Sequence, residues 1–141
     1  MTDPTPRWQY RFSNFGRARL LLREALDLLD RREITQLEKE GLVQRFEYTR
    51  ELAWKLLKDY LDHGGVVLPT VTPRAVIRAA HEAGVIDRAD TWMRALEARN
   101  RMSHVYDART FDRVIEDIRS CYAALFDELH GAMSERGAND D

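Results

Sequence analysis

The chain is poor in the residues that crosslink a backbone or break a helix. One cysteine, Cys121, stands among 141 residues, which excludes an internal disulfide framework and a cysteine-rich metal site. That usage fits a reducing, cytoplasmic setting. Prolines number four and glycines seven. No aliphatic run exceeds the length of Leu20-Leu21-Leu22, far short of the ~20 apolar residues of a membrane span. The N-terminus also lacks the apolar stretch of a signal peptide. Lysine is almost missing: arginine supplies 19 of the 22 positive charges, and the three lysines are Lys39, Lys55 and Lys58. With a net charge of −2 no overall basic field attracts nucleic acid. The arginine bias has two readings, genomic base composition or phosphate recognition by guanidinium forks.

Motifs are missing too. The sequence holds no Gly-x-Gly-x-x-Gly, Walker loop, Gly-x-Ser-x-Gly elbow or His-Glu-x-x-His. ATP binding by this chain, elbow-type hydrolysis and a helical zinc site are therefore not expected. The four histidines, His63, His81, His104 and His130, are scattered without ligand spacing, and no metal is expected.

What is present is helical periodicity. This length predicts one domain, able to bury roughly two-thirds of its unfolded surface. Residues 1–7 read as a flexible lead-in, 8–133 as the folded domain and 134–141 as a flexible polar tail. Trp8, Phe12, Phe15, Leu22, Leu26 and Leu29 form one stripe, which Asp30-Arg31-Arg32-Glu33 ends. Leu42, Phe46, Thr49, Ala53, Leu56 and Tyr60 form a second, stopped by Gly64-Gly65. Val66-Val67-Leu68-Pro69 reads as an extended connector. Thr72 caps a third helix with Pro73 at its first position, Val76, Ile77, Ala80 and Ala83 inside, and Gly84 closing it. A fourth begins at Asp90 as cap, carries Trp92, Met93, Leu96 and Met102, and frays around 104–106. The fifth begins near Thr110 with Asp112 in its positive first turn, and buries Phe111, Ile115, Ile118, Tyr122, Leu125 and Leu129. With no strand alternation, the expected fold is all-α: an antiparallel up-and-down bundle of about five helices with a four-helix-bundle-like core.

Chemistry concentrates in Arg99-Asn100-Arg101-Met102-Ser103-His104-Val105-Tyr106-Asp107. Asn100 and His104 are four apart and share a helix face. Arg99 and His104 are five apart and diverge by about 140° on a straight helix. One phosphate meets both only if the helix ends near Ser103 or a second protomer supplies half the site. Such residue types suit metal-free RNA cleavage: a histidine near neutrality moves the proton of a ribose 2′-hydroxyl or of the leaving oxygen, and an arginine stabilises charge on the phosphorane. The alternative is a packed helix end with solvated arginines. A second polar set, Glu47, Arg50, Glu51, Lys55 and Lys58, has i,i+4 pairs typical of an exposed face; alternatively Glu47, Glu51 and Lys55 orient groups at a partner surface. Trp54 reads as a core or interface aromatic. Arg74 and Arg78, one turn apart, are either an anion site or solvated charge.

Three segments occur in a telling order: Phe46-Glu47-Tyr48-Thr49-Arg50-Glu51-Leu52-Ala53-Trp54-Lys55-Leu56-Leu57-Lys58-Asp59-Tyr60-Leu61, then Thr72 through Ala80 with Gly84-Val85-Ile86, then Trp92 and Arg99-Asn100 through His104-Val105-Tyr106-Asp107. Together they resemble the nucleotidyltransferase substrate-binding proteins, a branch of the HEPN superfamily that includes HepT-like toxins, over residues 8–130. The resemblance implies a dimerising helical bundle paired with a small, separate nucleotidyltransferase of the MNT antitoxin type. In its toxin form it implies a metal-independent ribonuclease using Arg-x4–6-His, silenced when the partner adds AMP to a tyrosine. Carried over, Arg99 and His104 are catalytic, Asn100 orients, and Tyr106 accepts AMP. Arg101, Arg74, Arg78, Glu47, Glu51 and Lys55 are the expected RNA, phosphate or partner contacts. ATP and Mg²⁺ belong to the partner, and this chain needs no cofactor. A non-catalytic substrate-binding subunit of the same pair is the other reading.

Overall fold

The computed structural model describes residues 5–104 and 108–139, with side-chain surroundings for 5–98 and 109–137. Among them every regular element is helical. Helix α1, Arg7–Arg31, buries Trp8, Phe15, Ala18, Leu22 and Leu26, one stripe of a 3.6-residue period. It ends where Arg32 turns extended. A capping box then opens α2, Gln36–His63. The Glu38 N–H donates to Thr35 Oγ1 at 3.2 Å and the Thr35 N–H donates to Glu38 Oε1 at 2.9 Å, satisfying two otherwise orphaned donors. Arg32 donates to both Glu38 oxygens at 2.9 and 2.6 Å. These guanidinium bonds, followed by the Thr35 backbone bond, hold the Glu38 carboxyl down at about 2.

After α2, Gly65 takes φ 83°, a left-handed conformation that a side chain disfavours. Helix α3, Pro73–Glu82, starts as expected, with Thr72 Oγ1 accepting from the Ala75 N–H at 3.1 Å. Its end differs from expectation. Ala83 is exposed, because the chain turns at Gly84 (φ 75°) and folds Val85 and Ile86 back into the core in its place. Helix α4 is Ala89–His104. Asp90 is not its cap but lies in its first turn. The carbonyl of Arg88, at φ 54°, receives the Thr91 and Trp92 N–H groups instead.

Helix α5, Ala108–Asp117, begins before Thr110, so Asp112 lies beyond its first turn and pairs with Lys39 at 2.9 Å. A π turn, Ile118–Tyr122, joins it to α6, Ala123–Asn139. The flanking residues Asp117 and Ala123 keep helical dihedrals, so α5, the π turn and α6 form one rod, and the described residues make five helices. The polar tail expected from 134 is instead helical as far as Asn139. Long-range contacts hold it: Met133 is fully buried, Gly137 lies beside the Trp8 ring, and Arg136 donates to Tyr60 Oη at 2.9 Å.

The pairings set the directions. Arg11 meets Asp59 and Arg45 meets the Leu21 carbonyl, so α1 and α2 are antiparallel. Phe12 meets His130 and Arg19 meets Asp127, which makes α1 and α6 antiparallel. Lys39 with Asp112 and Tyr60 with Arg136 place α2 parallel to the α5–α6 rod. Trp92 with Phe126 and Arg88 with Glu128 run α4 antiparallel to that rod. The result is an up-and-down four-helix core with α3 packed against α2 and α4. Phe126 sits at its centre, with ring centroids 6.1 Å from Phe15, 6.0 Å from Phe46 and 5.8 Å from Trp92.

Candidate functional site

The helix directions bring the C-terminal turns of α4, the α1–α2 turn and the start of α5 to one end of the bundle. Arg99, Asn100, Arg101 and His104 occupy the last two turns of α4; their side chains lie outside the described residues, as does the segment 105–107 with Tyr106. The backbone still fixes register. Because α4 continues through His104, the Arg99 and His104 positions stand about 140° apart around one helix axis, while Asn100 and His104 are about 40° apart.

The same end carries a cleft of about 490 Å³ lined by Asp30, Arg31, Lys39, Asp112, Glu116 and Arg119 among others. Its charges are largely self-compensated: Lys39 pairs with Asp112, and Arg119 with Asp30 at 3.0 Å. It offers no excess positive charge for a phosphate.

The other sequence candidates fall in separate places. Glu51 and Lys55 form the i,i+4 pair at 3.6 Å on α2, with Glu47 one turn earlier and half-buried. Trp54 is half-buried against the core, its indole N–H enclosed without an acceptor. Arg74 is ion-paired to Glu97 of α4, whereas Arg78 is exposed one turn further along α3. Thus the two arginines do not converge on one anion site. Among the described residues no three His, Cys, Asp or Glu side chains group as a metal site, and no helix is long and apolar enough to cross a membrane.

Two charged residues are buried, and one of them departs from the sequence expectation. Asp59 is 7% exposed and accepts from Arg11 Nε at 2.8 Å, with Arg7 at 3.5 Å. Arg50, assigned above to the exposed face of α2, is 4% exposed. Its burial is legible in one respect: it follows Phe46 of the buried stripe by four residues.

His130 marks the α1–α6 contact. Its ring lies 4.9 Å from that of Phe12, and Gly16 makes room, since a Cβ there would stand 3.4 Å from Nε2. Burial, then the charge of Arg19, holds its pKa below the ordinary value, against an opposing pull from Asp127. The folded state thus prefers neutral imidazole, and the unfolded chain takes up the proton more readily. Stability from this source is complete above the ordinary histidine value of ~6.5 and is lost as pH falls through the lower folded value. Urea midpoints measured between pH ~7.5 and ~5.5 should decline, with part of that slope removed in His130→Gln. An identical slope in the variant would reject the assignment.

Comparison with known proteins adds three findings. No curated protein matches the chain. A crystal structure from Thermus thermophilus is similar, with a TM-score of 0.71 and 29% sequence identity, covering 83% of this chain and 96% of that one. The family described as nucleotidyltransferase substrate binding protein like matches residues 10–135, a span from the first turn of α1 into α6 that includes every candidate residue named above. The chain belongs to that nucleotidyltransferase substrate-binding family.

Proposed function

We propose that this chain is the helical subunit of a two-component pair with a small nucleotidyltransferase, and that it is itself a metal-independent endoribonuclease toxin. The family name supports the association with a nucleotidyltransferase. The observation that carries the nuclease reading is the Arg99-x4-His104 spacing on the terminal turns of α4. His104 moves the proton of the 2′-hydroxyl or of the leaving oxygen, and Arg99 stabilises the phosphorane. Asn100, on the His104 face, orients the imidazole. The divergence of Arg99 and His104 on one continuous helix favours a homodimer in which each active centre takes one residue from each protomer. Arg101 and Arg78 are candidate RNA contacts.

The partner silences the toxin by adding AMP to Tyr106. The phenolic oxygen attacks the α-phosphorus of ATP, pyrophosphate leaves, and the phenol proton is released. The ATP and Mg²⁺ are the partner's. The adduct sets a negative phosphate and a base two residues from His104, repelling RNA. The family's description as substrate binding supports a second reading, a subunit that binds substrate for the nucleotidyltransferase without cleaving it.

Purified protein in excess EDTA, given a mixed tRNA and mRNA pool, should cleave RNA. Intact RNA from the folded, unmodified protein would replace the nuclease with the binding subunit. Incubation with the partner and ATP should add the mass of one AMP to wild type and none to Tyr106→Phe. An adduct persisting in that variant moves the acceptor to another hydroxyl.

A further inference from the structure

Arg50 projects from α2 into the packed interior and is 4% exposed. Burying a guanidinium is costly unless fixed dipoles or charges meet it. Its contacts include two that bear on α4 and the aromatic core. On one side its Cζ lies 5.8 Å from the Phe46 ring centroid, and that ring stacks at 5.6 Å on Tyr122 of the π turn. On the other side its Nη1 points at two backbone carbonyls of α4, Ala95 O at 3.4 Å and Leu96 O at 3.5 Å.

Those two carbonyls are informative. In an α-helix the carbonyl of residue i accepts from the N–H of residue i+4. Ala95 O is therefore the acceptor position for the Arg99 N–H, and Leu96 O for the Asn100 N–H. One buried cation thus reaches the acceptors of the backbone N–H groups of both residues. Each contact is long, but the donor is charged and sits in a water-poor interior, where such interactions weaken least. Local opening of this turn has to break the Arg50 contacts as well as the helical bonds.

We propose that Arg50 is a positioning residue: it pins the α4 turn that carries Arg99 and Asn100, coupling their placement to the aromatic core through Phe46. The consequence for catalysis rests on the nuclease reading above; the pinning itself does not.

The test compares wild type, Arg50→Met and Arg50→Lys as full-length proteins, by amide hydrogen exchange and by RNA cleavage. Methionine keeps most of the volume and removes the donors. In Arg50→Met the Arg99 and Asn100 amides should exchange at least tenfold faster relative to the amides of Trp92 and Met93 in the same helix. Lysine keeps a charged donor and should restore part of that protection. Cleavage by Arg50→Met should show kcat lowered at least tenfold with KM within twofold, again partly recovered by lysine. Exchange at those two amides within twofold of wild type, or a uniform loosening of all α4, overturns the proposal. So does an unchanged kcat in an active enzyme. Should Arg50→Met fail to fold, Arg50→Lys decides: protection no different from wild type and unchanged kcat sink it, since one ammonium cannot match the fork. Wild type that cleaves nothing while Arg50→Met shows the localised exchange effect removes the nuclease reading and leaves the pinning in place.

Discussion

Replacing His104 with alanine is expected to lower RNA cleavage by ~10²–10⁴-fold in kcat, the range for loss of a general acid or base. Folding should be untouched, because the position is in the last turn of α4, where little of the helix depends on it. Arg99→Ala should cost a comparable factor, since it removes charge stabilisation of the transition state. The two variants together make a sharper experiment than either alone. If each centre takes Arg99 from one protomer and His104 from the other, a mixed dimer of the two variants holds one centre with both residues intact. Random exchange makes half of the dimers mixed, so an equimolar mixture should recover roughly a quarter of wild-type activity. If both residues of a centre come from the same chain, the mixture stays inactive. Recovery therefore reads out the 140° divergence on α4 as function. Inactivity of the mixture, with both proteins shown to exchange subunits, would discard the composite centre.

The largest stability effect is expected at Phe126. It is fully buried and its ring touches one aromatic from each of the other three core helices, Phe15, Phe46 and Trp92. Truncation to alanine removes the apolar transfer energy and leaves a cavity bordered by three rigid rings that collapse poorly. The expected loss is ~3–5 kcal/mol, a large part of the ~5–15 kcal/mol by which such domains are stable. Phe126→Leu, which keeps more of the volume, should lose much less. Urea denaturation monitored by tryptophan fluorescence measures both, and a Phe126→Ala loss below ~1 kcal/mol would contradict the central position assigned to this ring.

The architecture was legible because each helix writes its own buried face into its period. Trp8 to Leu26, Leu42 to Leu56 and Ile115 to Leu129 were readable as stripes, and Thr72-Pro73 as a start signal. What escaped depends on partners distant in sequence. Residues 134–139 look like a polar tail until Arg136 is seen against Tyr60 and Gly137 against Trp8. Arg50 looks like surface charge until the α4 carbonyls arrive from the other side of the bundle. Ala83 fits the α3 stripe, but Val85 and Ile86 fill its place after the Gly84 turn. Asp112 looked like a helix-dipole partner, whereas α5 begins early enough to free it for Lys39. The candidate site is the reverse case. Its residue types and spacing came from the sequence, and the fold contributes the continuity of α4 and the company of the α1–α2 turn.

The π turn at Ile118–Tyr122 bears on how this chain can change length. Its closing bond runs from the Ala123 N–H to the Ile118 carbonyl, one residue more than an α turn encloses. That surplus residue is absorbed locally, so the faces of α5 and α6 relate as they would in an uninterrupted α-helix without it. Elsewhere in the rod, losing one residue would rotate everything downstream by about 100°, turning Leu129 and Met133 out of the core and taking Arg136 away from Tyr60. Within the π turn, losing the exposed Ser120 would restore ordinary α geometry and keep both faces in phase. The rod thus has one place that holds a surplus residue without loss of phase, and the same place is where a deletion does least harm.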